Sequence, residues 1–288
     1  MTRFEGNPGT ALLAKVSALV PPEALDRVRD RLAAGLDDAA AGLDAGAHLE
    51  IGLPQLRRAR YRSELLGLPD EPFAWKPVFV RRSLGIASLR ACADGRFRGP
   101  AEAVGPVADQ AVEDWRRTGW RTFHWEPWYA GLGAGGRAAV LAEAATWATP
   151  VWSALDWSAV APVAELGRPD DRWPVACVAG VHLRGRFEAR VAVTGPGGTP
   201  GGASALFSVA GGRPGDGWHD ELAFLAMVAG LASSSRVLPA RVVGLWPEAG
   251  ALRVAEIDVA ALTGAVDRVV DTVAVTVDAA VVPVSTGA

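Results

Sequence analysis

The side chains with the widest chemical range are few and scattered. The four histidines, His48, His124, His182 and His219, never stand three or four positions apart, so no helix face carries a pair of zinc ligands. Cys92 and Cys177 are the only cysteines, too few for a disulfide framework or a zinc knuckle. Gly-x-Ser-x-Gly is absent, which removes the nucleophile elbow of serine hydrolases. The glycine-rich runs 195–202 and 211–217 lack the lysine of a phosphate-cradling loop and read as turns. Of 29 Lys and Arg residues only Lys15 and Lys76 are lysines, leaving 27 arginines. A mechanism that needs a lysine beyond residue 76 therefore has none. With abundant alanine, glycine and proline, this arginine excess is the imprint of a GC-rich bacterial genome.

What remains is carboxylate, guanidinium and indole chemistry. Glu188 lies in Val181-His-Leu-Arg-Gly-Arg-Phe-Glu-Ala-Arg-Val-Ala-Val193, with Arg184, Arg186 and Arg190 nearby. Two readings are open for it: a solvated strand residue between arginines, or a retained ligand-binding carboxylate. Asp216, His219, Asp220 and Glu221 open a helix, either as a cation site or as acids favoured by the helix dipole. Eight of the 11 tryptophans fall between Trp115 and Trp173. The run Trp120–Tyr129 mixes indoles with Arg121 and His124, as single-strand binders do, but Glu126 opposes the charge. Packing wedges between helices are the plainer reading of those rings.

The elements that must position these groups change character along the chain. Leu25, Val28, Leu32, Leu36, Ala39 and Leu43 recur at helical spacing after Pro21-Pro22. A short strand near His48–Ile51 and a helix over Pro54–Leu66 follow, then a proline-rich turn, Asp70–Pro77. Further helices are expected from Arg82 to Cys92, from Pro100 to Thr118 with a kink at Gly105-Pro106, and from Arg137 to Thr149, where Pro150 interrupts or ends it. Beyond residue 172 the texture is β-rich. Val181–Val193 alternates like one long strand, and Ser204–Val209 returns from a Gly/Pro loop as the second arm of a hairpin. A helix over Trp218–Ser233, strands at 240–246 and 251–257, a helix at 259–270 and an edge strand within 273–288 complete the reading.

In this order, strand, hairpin, strand, helix, strand, the chain resembles the PD-(D/E)XK nuclease superfamily in its RecB-like exonuclease branch. Gly185-Arg186-Phe187-Glu188 is similar to the branch's Gly-Arg-hydrophobic-Asp motif. Leu206–Arg213 stands where Asp-x-Lys-x-Gly is expected, Glu221–Leu225 where the helix motif begins, and Arg82–Leu89 resembles the family's opening helix. The resemblance spans roughly residues 80–270. At the matched positions Phe207 replaces the metal-binding Asp, Val209 the Lys, Leu225 the tyrosine and Leu89 a helical histidine. What the resemblance implies is a decayed site. Glu188 and Glu221 are its vestigial catalytic candidates, and Arg184, Arg186, Arg190 and Arg213 the remaining nucleic-acid contacts. There is no proper metal cage, and at most Mg²⁺ at Glu188.

The expected fold is α/β (α+β), a mixed β-sheet flanked by helices. It divides into a helical N-terminal segment, 1–75, a nuclease-like domain, 76–272, and a tail, 273–288. A net charge of −3 leaves no overall basic footprint, so any DNA contact would be local and weak. The opening residues lack a secretory signal and the longest apolar run is about half a membrane span, so a cytoplasmic protein without a membrane partner is expected. The function implied is a DNA-associated or structural pseudo-nuclease without its own cleavage. The alternatives are an enzyme with its site in the Trp-rich half (Trp120–Trp157), around His124, Glu126 and Glu143, or a subunit that binds a protein partner through an exposed tryptophan face.

Overall fold

Residues 203–209 and 241–246 bury side chains on both of their faces, so the strands they form must be covered from both sides. The computed structural model describes residues 7–43, 48–61, 74–121, 123–160, 164–166, 173–178, 180–233 and 237–281, and supplies both covers. In chain order its elements are α1 (Pro8–Leu13), α2 (Glu23–Ala39), β1 (Leu49–Ile51), α3 (Leu53–Tyr61), α4 (Pro77–Ala93), α5 (Pro100–Thr118), α6 (Glu126–Ala130), α7 (Ala134–Ala154) and α8 (Trp157–Val160). There follow β2 (Ala164–Leu166), β3 (Trp173–Val178), β4 (Val181–Gly185), β5 (Ala189–Val193), β6 (Ala203–Val209), α9 (Trp218–Ala232), β7 (Arg241–Trp246), β8 (Ala251–Glu256) and α10 (Val259–Val281). The architecture is mixed α/β.

A five-stranded sheet runs β2-β5-β6-β7-β8. Its β5 and β6 form the expected antiparallel hairpin, with Ala189 opposite Phe207 and Val193 opposite Ala203. β6 and β7 are parallel, and α9 makes the crossover between them. Alternate residues serve alternate faces. Leu206, Val242 and Trp246 join a core with α2, α9 and α10, while Phe207, Val209, Val243 and Leu245 join another with α4, α7 and α8. A third cluster, around Val80, Leu84, Val104, Trp125 and Val140, fills the bundle of α4 to α7. Gly85 allows α4 and α7 to touch: a Cβ there would meet Trp147 Cε3 at 2.5 Å.

Several expectations are corrected. The single strand over 181–193 is two: β4 belongs to a separate sheet, β1-β4-β3, and leaves it at Gly185. Phe187, Glu188 and Ala189 are all buried, and the Glu188 carboxylate is taken up by Arg82 of α4 and the Val209 N–H at the point where the chain passes from one sheet to the other. The fourth helix starts at Pro77, not Arg82, with the proline in its first turn. α7 runs through Pro150 to Ala154, because Trp147, Ala148 and Val151 are packed into the core on either side of the missing hydrogen bond. The edge strand expected in 273–288 is instead helix as far as Val281; Val266, Val269, Val273 and Val277 make its buried stripe. Segment 1–75 is woven into the rest: β1 pairs in parallel with β4, and Leu25, Leu32 and Leu36 of α2 share a core with α10. The end of the helix expected over Pro54–Leu66 and most of the turn after it lie outside the described residues. Among the described residues no helix is long and apolar enough to cross a membrane.

Candidate functional site

Where β4 leaves its sheet, the chain opens a cleft of about 310 Å³. Arg57 of α3 and Arg82 of α4 line it together with Arg184 and Arg186, and Ser208–Gly211 at the end of β6 form another wall. Gly185 sits at its edge because α9 presses there; a Cβ would lie 3.0 Å from Val228 Cγ1. Four arginines, from α3, α4, β4 and the position that follows β4, thus line one concavity.

Each of three arginines is held by a carboxylate. Arg82 Nε donates to Glu188 Oε1 at 2.9 Å, and its Nη2 donates to the same oxygen. The second oxygen, Oε2, accepts the Val209 backbone N–H at 2.6 Å. Glu188 is 5% exposed, so its reading as a solvated strand residue is corrected. Arg57 grips Glu221 through two parallel bonds, Nε to Oε1 at 2.9 Å and Nη2 to Oε2 at 2.7 Å. Hydrogen bonding to Glu221 raises the Arg57 pKa further, against the desolvation that opposes it. Arg184 pairs with Glu50 at 2.6 Å across the β1–β4 pair. The three ion pairs fix guanidinium positions before any ligand arrives.

The residues singled out in the sequence separate here. Arg184 and Arg186 line the cleft. Arg190 turns away: its Nη2 reaches Ala229 O at 3.5 Å, it lies over the Phe187 ring, and burial pulls its pKa below the ordinary arginine value. Arg213 is exposed on the loop that follows Gly211. Glu221 opens α9 beside Asp220, whose carboxylate takes Arg60 Nη1 at 2.8 Å; the two acids are arginine partners in a helix first turn, not a cation site. Phe207 and Val209 are 1% exposed, in the core on the α4/α7 side. Sequence reasoning missed Arg57, Arg82 and Glu50 as cleft residues; each comes from an element remote in sequence from β4.

Glu188 does not fit a Mg²⁺ ligand. Both oxygens already accept from Arg82 and Val209, and among the described residues no group of three or more His, Cys, Asp or Glu is placed to hold a metal.

The tryptophan-rich half is mostly packed. Trp147 is 5% exposed, Trp152 is more than half buried and stacks on Trp157, whereas Trp120 is largely exposed. Glu126 is completely buried against Trp125 and accepts the Phe123 N–H at 2.8 Å, while His124 is exposed and Glu143 faces Arg81 at 3.7 Å. With no exposed surface, Glu126 is closed to a substrate. Compared with family models, curated proteins and solved structures, the chain matches none.

Proposed function

We propose that this chain is a catalytically degenerate PD-(D/E)XK-like module that associates with nucleic acid and does not cleave it. The observation that carries this reading is the arginine-lined cleft beside Glu188, at the position where the resemblance expects a nuclease centre. The strand–hairpin–strand–helix–strand order and the parallel β6–β7 pair spanned by α9 are consistent with that fold. The residues at the matched metal and lysine positions, Phe207 and Val209, have no ligand or proton chemistry. Guanidinium groups suit phosphate recognition through paired N–H donors, and they position a backbone without reading bases.

The test is purified protein with Mg²⁺ or Mn²⁺ on single- and double-stranded DNA. No turnover above background is expected, together with weak binding that falls steeply between 50 and ~200 mM salt, as counterion release requires. Metal-dependent cleavage that disappears in Glu188→Ala would overturn the reading. So would an absence of salt-sensitive nucleic-acid binding.

A further inference from the structure

The geometry points to a phosphate-monoester pocket that works without a metal ion: Arg57, Arg82 and Arg184 hold the dianion, and Glu188 acts as the positioning residue for Arg82. This rests on the reading of the cleft as the nucleic-acid-facing side and names the group it takes.

Three observations carry it. First, the guanidinium groups are anchored from behind. Arg57 and Arg82 each spend Nε and Nη2 on their carboxylate, and Arg184 spends Nη1 on Glu50. A guanidinium has five N–H donors, so these bonds leave three N–H groups on Arg57 and on Arg82 and four on Arg184. Second, Arg57 and Arg82 come from two helices and Arg184 from a strand, and all three line the same small cleft instead of an extended track along one element. A monoester offers three terminal oxygens to three such groups, whereas a diester within a strand offers two. A cleft of about 310 Å³ is at the small end of ligand pockets, room for a phosphate and a sugar but not for a duplex. Third, the carboxylate that would have held a metal is engaged by Arg82 and Val209 on both oxygens. The positive charge at this place is guanidinium, fixed in advance and independent of divalent ions.

The experiment compares one short single-stranded oligonucleotide with a 5′-phosphate and with a 5′-hydroxyl, by fluorescence anisotropy in EDTA and again with Mg²⁺, using inorganic phosphate as competitor. The phosphorylated end should bind at least ~10-fold more tightly, as one lost charge-assisted contact implies. Inorganic phosphate should erase that preference, and Mg²⁺ should not change it. Arg82→Gln and Arg184→Gln should each abolish it, and Glu188→Gln should weaken it in EDTA, where a metal ligand would have nothing to lose. If Glu188→Gln does not fold, Arg184→Gln, whose ion pair is partly exposed, decides alone. Equal binding of both ends with DNA affinity retained overturns this pocket and leaves the nucleic-acid reading standing. A preference that appears only with Mg²⁺ overturns it too. Saturable binding of inorganic phosphate or a nucleoside monophosphate, with no oligonucleotide binding, keeps the pocket, assigns it to a free phosphorylated metabolite and removes the nucleic-acid reading.

Discussion

Glu188 and Cys92 illustrate how far the surroundings decide what a side chain can do. The sequence places Glu188 in a recognisable motif, yet its partner Arg82 is 106 positions away, and no local pattern announces that contact. Arg57 and Glu50 entered the cleft unannounced for the same reason. A glycine within a strand marks a close approach of neighbouring atoms, and at Gly185 Val228 of α9 makes it. Cys92 on α4 gives a pH prediction. Burial pushes its thiol from 9.0 to about 11, with Glu102 adding to the shift. The folded value lies above the unfolded one, so the neutral thiol stabilises the fold fully below pH ~9, and that contribution is lost as pH rises towards ~11. In a Cys177→Ser background, urea denaturation should show stability falling between these values. The fall should flatten in Cys92→Ala, whatever that change costs at neutral pH. Equal slopes for the two proteins would contradict the burial account.

The joint between α3 and α9 sets one wall of the cleft, and its two ion pairs are not equivalent. Arg57–Glu221 is bidentate with the carboxylate side chain 10% exposed, whereas Arg60–Asp220 is single and the aspartate side chain 38% exposed. The Tyr61 hydroxyl completes the joint by accepting the Gly217 N–H at 2.9 Å. Arg57→Ala should therefore destabilise by about 2 kcal/mol, since it strands a largely buried carboxylate. Arg60→Ala should cost less than ~1 kcal/mol. Amide exchange in the first turn of α9 should accelerate in Arg57→Ala and remain close to wild type in Arg60→Ala; the reverse order would refute this ranking. Helices and strands with strong periodicity, such as α2, α5 and the β5–β6 hairpin, could be read directly from the chain. The break between β4 and β5 could not, because Phe187 and Ala189 keep the alternating apolar pattern while the buried Glu188 between them is charged. Pro150 misled in the opposite direction. Packing of Trp147 and Val151 outweighs a local breaker.

The division at residue 75 follows the proline-rich turn Asp70–Pro77 and the start of the nuclease-like resemblance, and packing crosses it repeatedly. Leu25, Leu32, Leu36, Ile51 and Leu56, all from the first 75 residues, are at most 3% exposed in a core shared with α9 and α10. Arg241, 7% exposed on β7, donates Nη1 to the carbonyls of Ala11 and Ala14 and Nε to Glu256, fastening the N-terminal segment to the sheet. A chain beginning at residue 76 should therefore fail to melt cooperatively by circular dichroism and should bind a hydrophobic dye, as cores stripped of packing do. A sharp transition in that shortened chain would show that residues 76–288 fold alone.

The loop 195–202 offers a use of its own. Gly197, Gly198 and Gly201 hold positive φ, residues 197–202 are exposed, and Gly195 N–H closes the base onto Thr199 O at 2.9 Å. It joins the ends of β5 and β6 opposite the one where Glu188 meets Val209. Lengthening such a loop costs only a slowly growing closure entropy. It is thus a natural splice point for an epitope or a fluorescent peptide, a handle that reports on the molecule from the end remote from its guanidinium cleft.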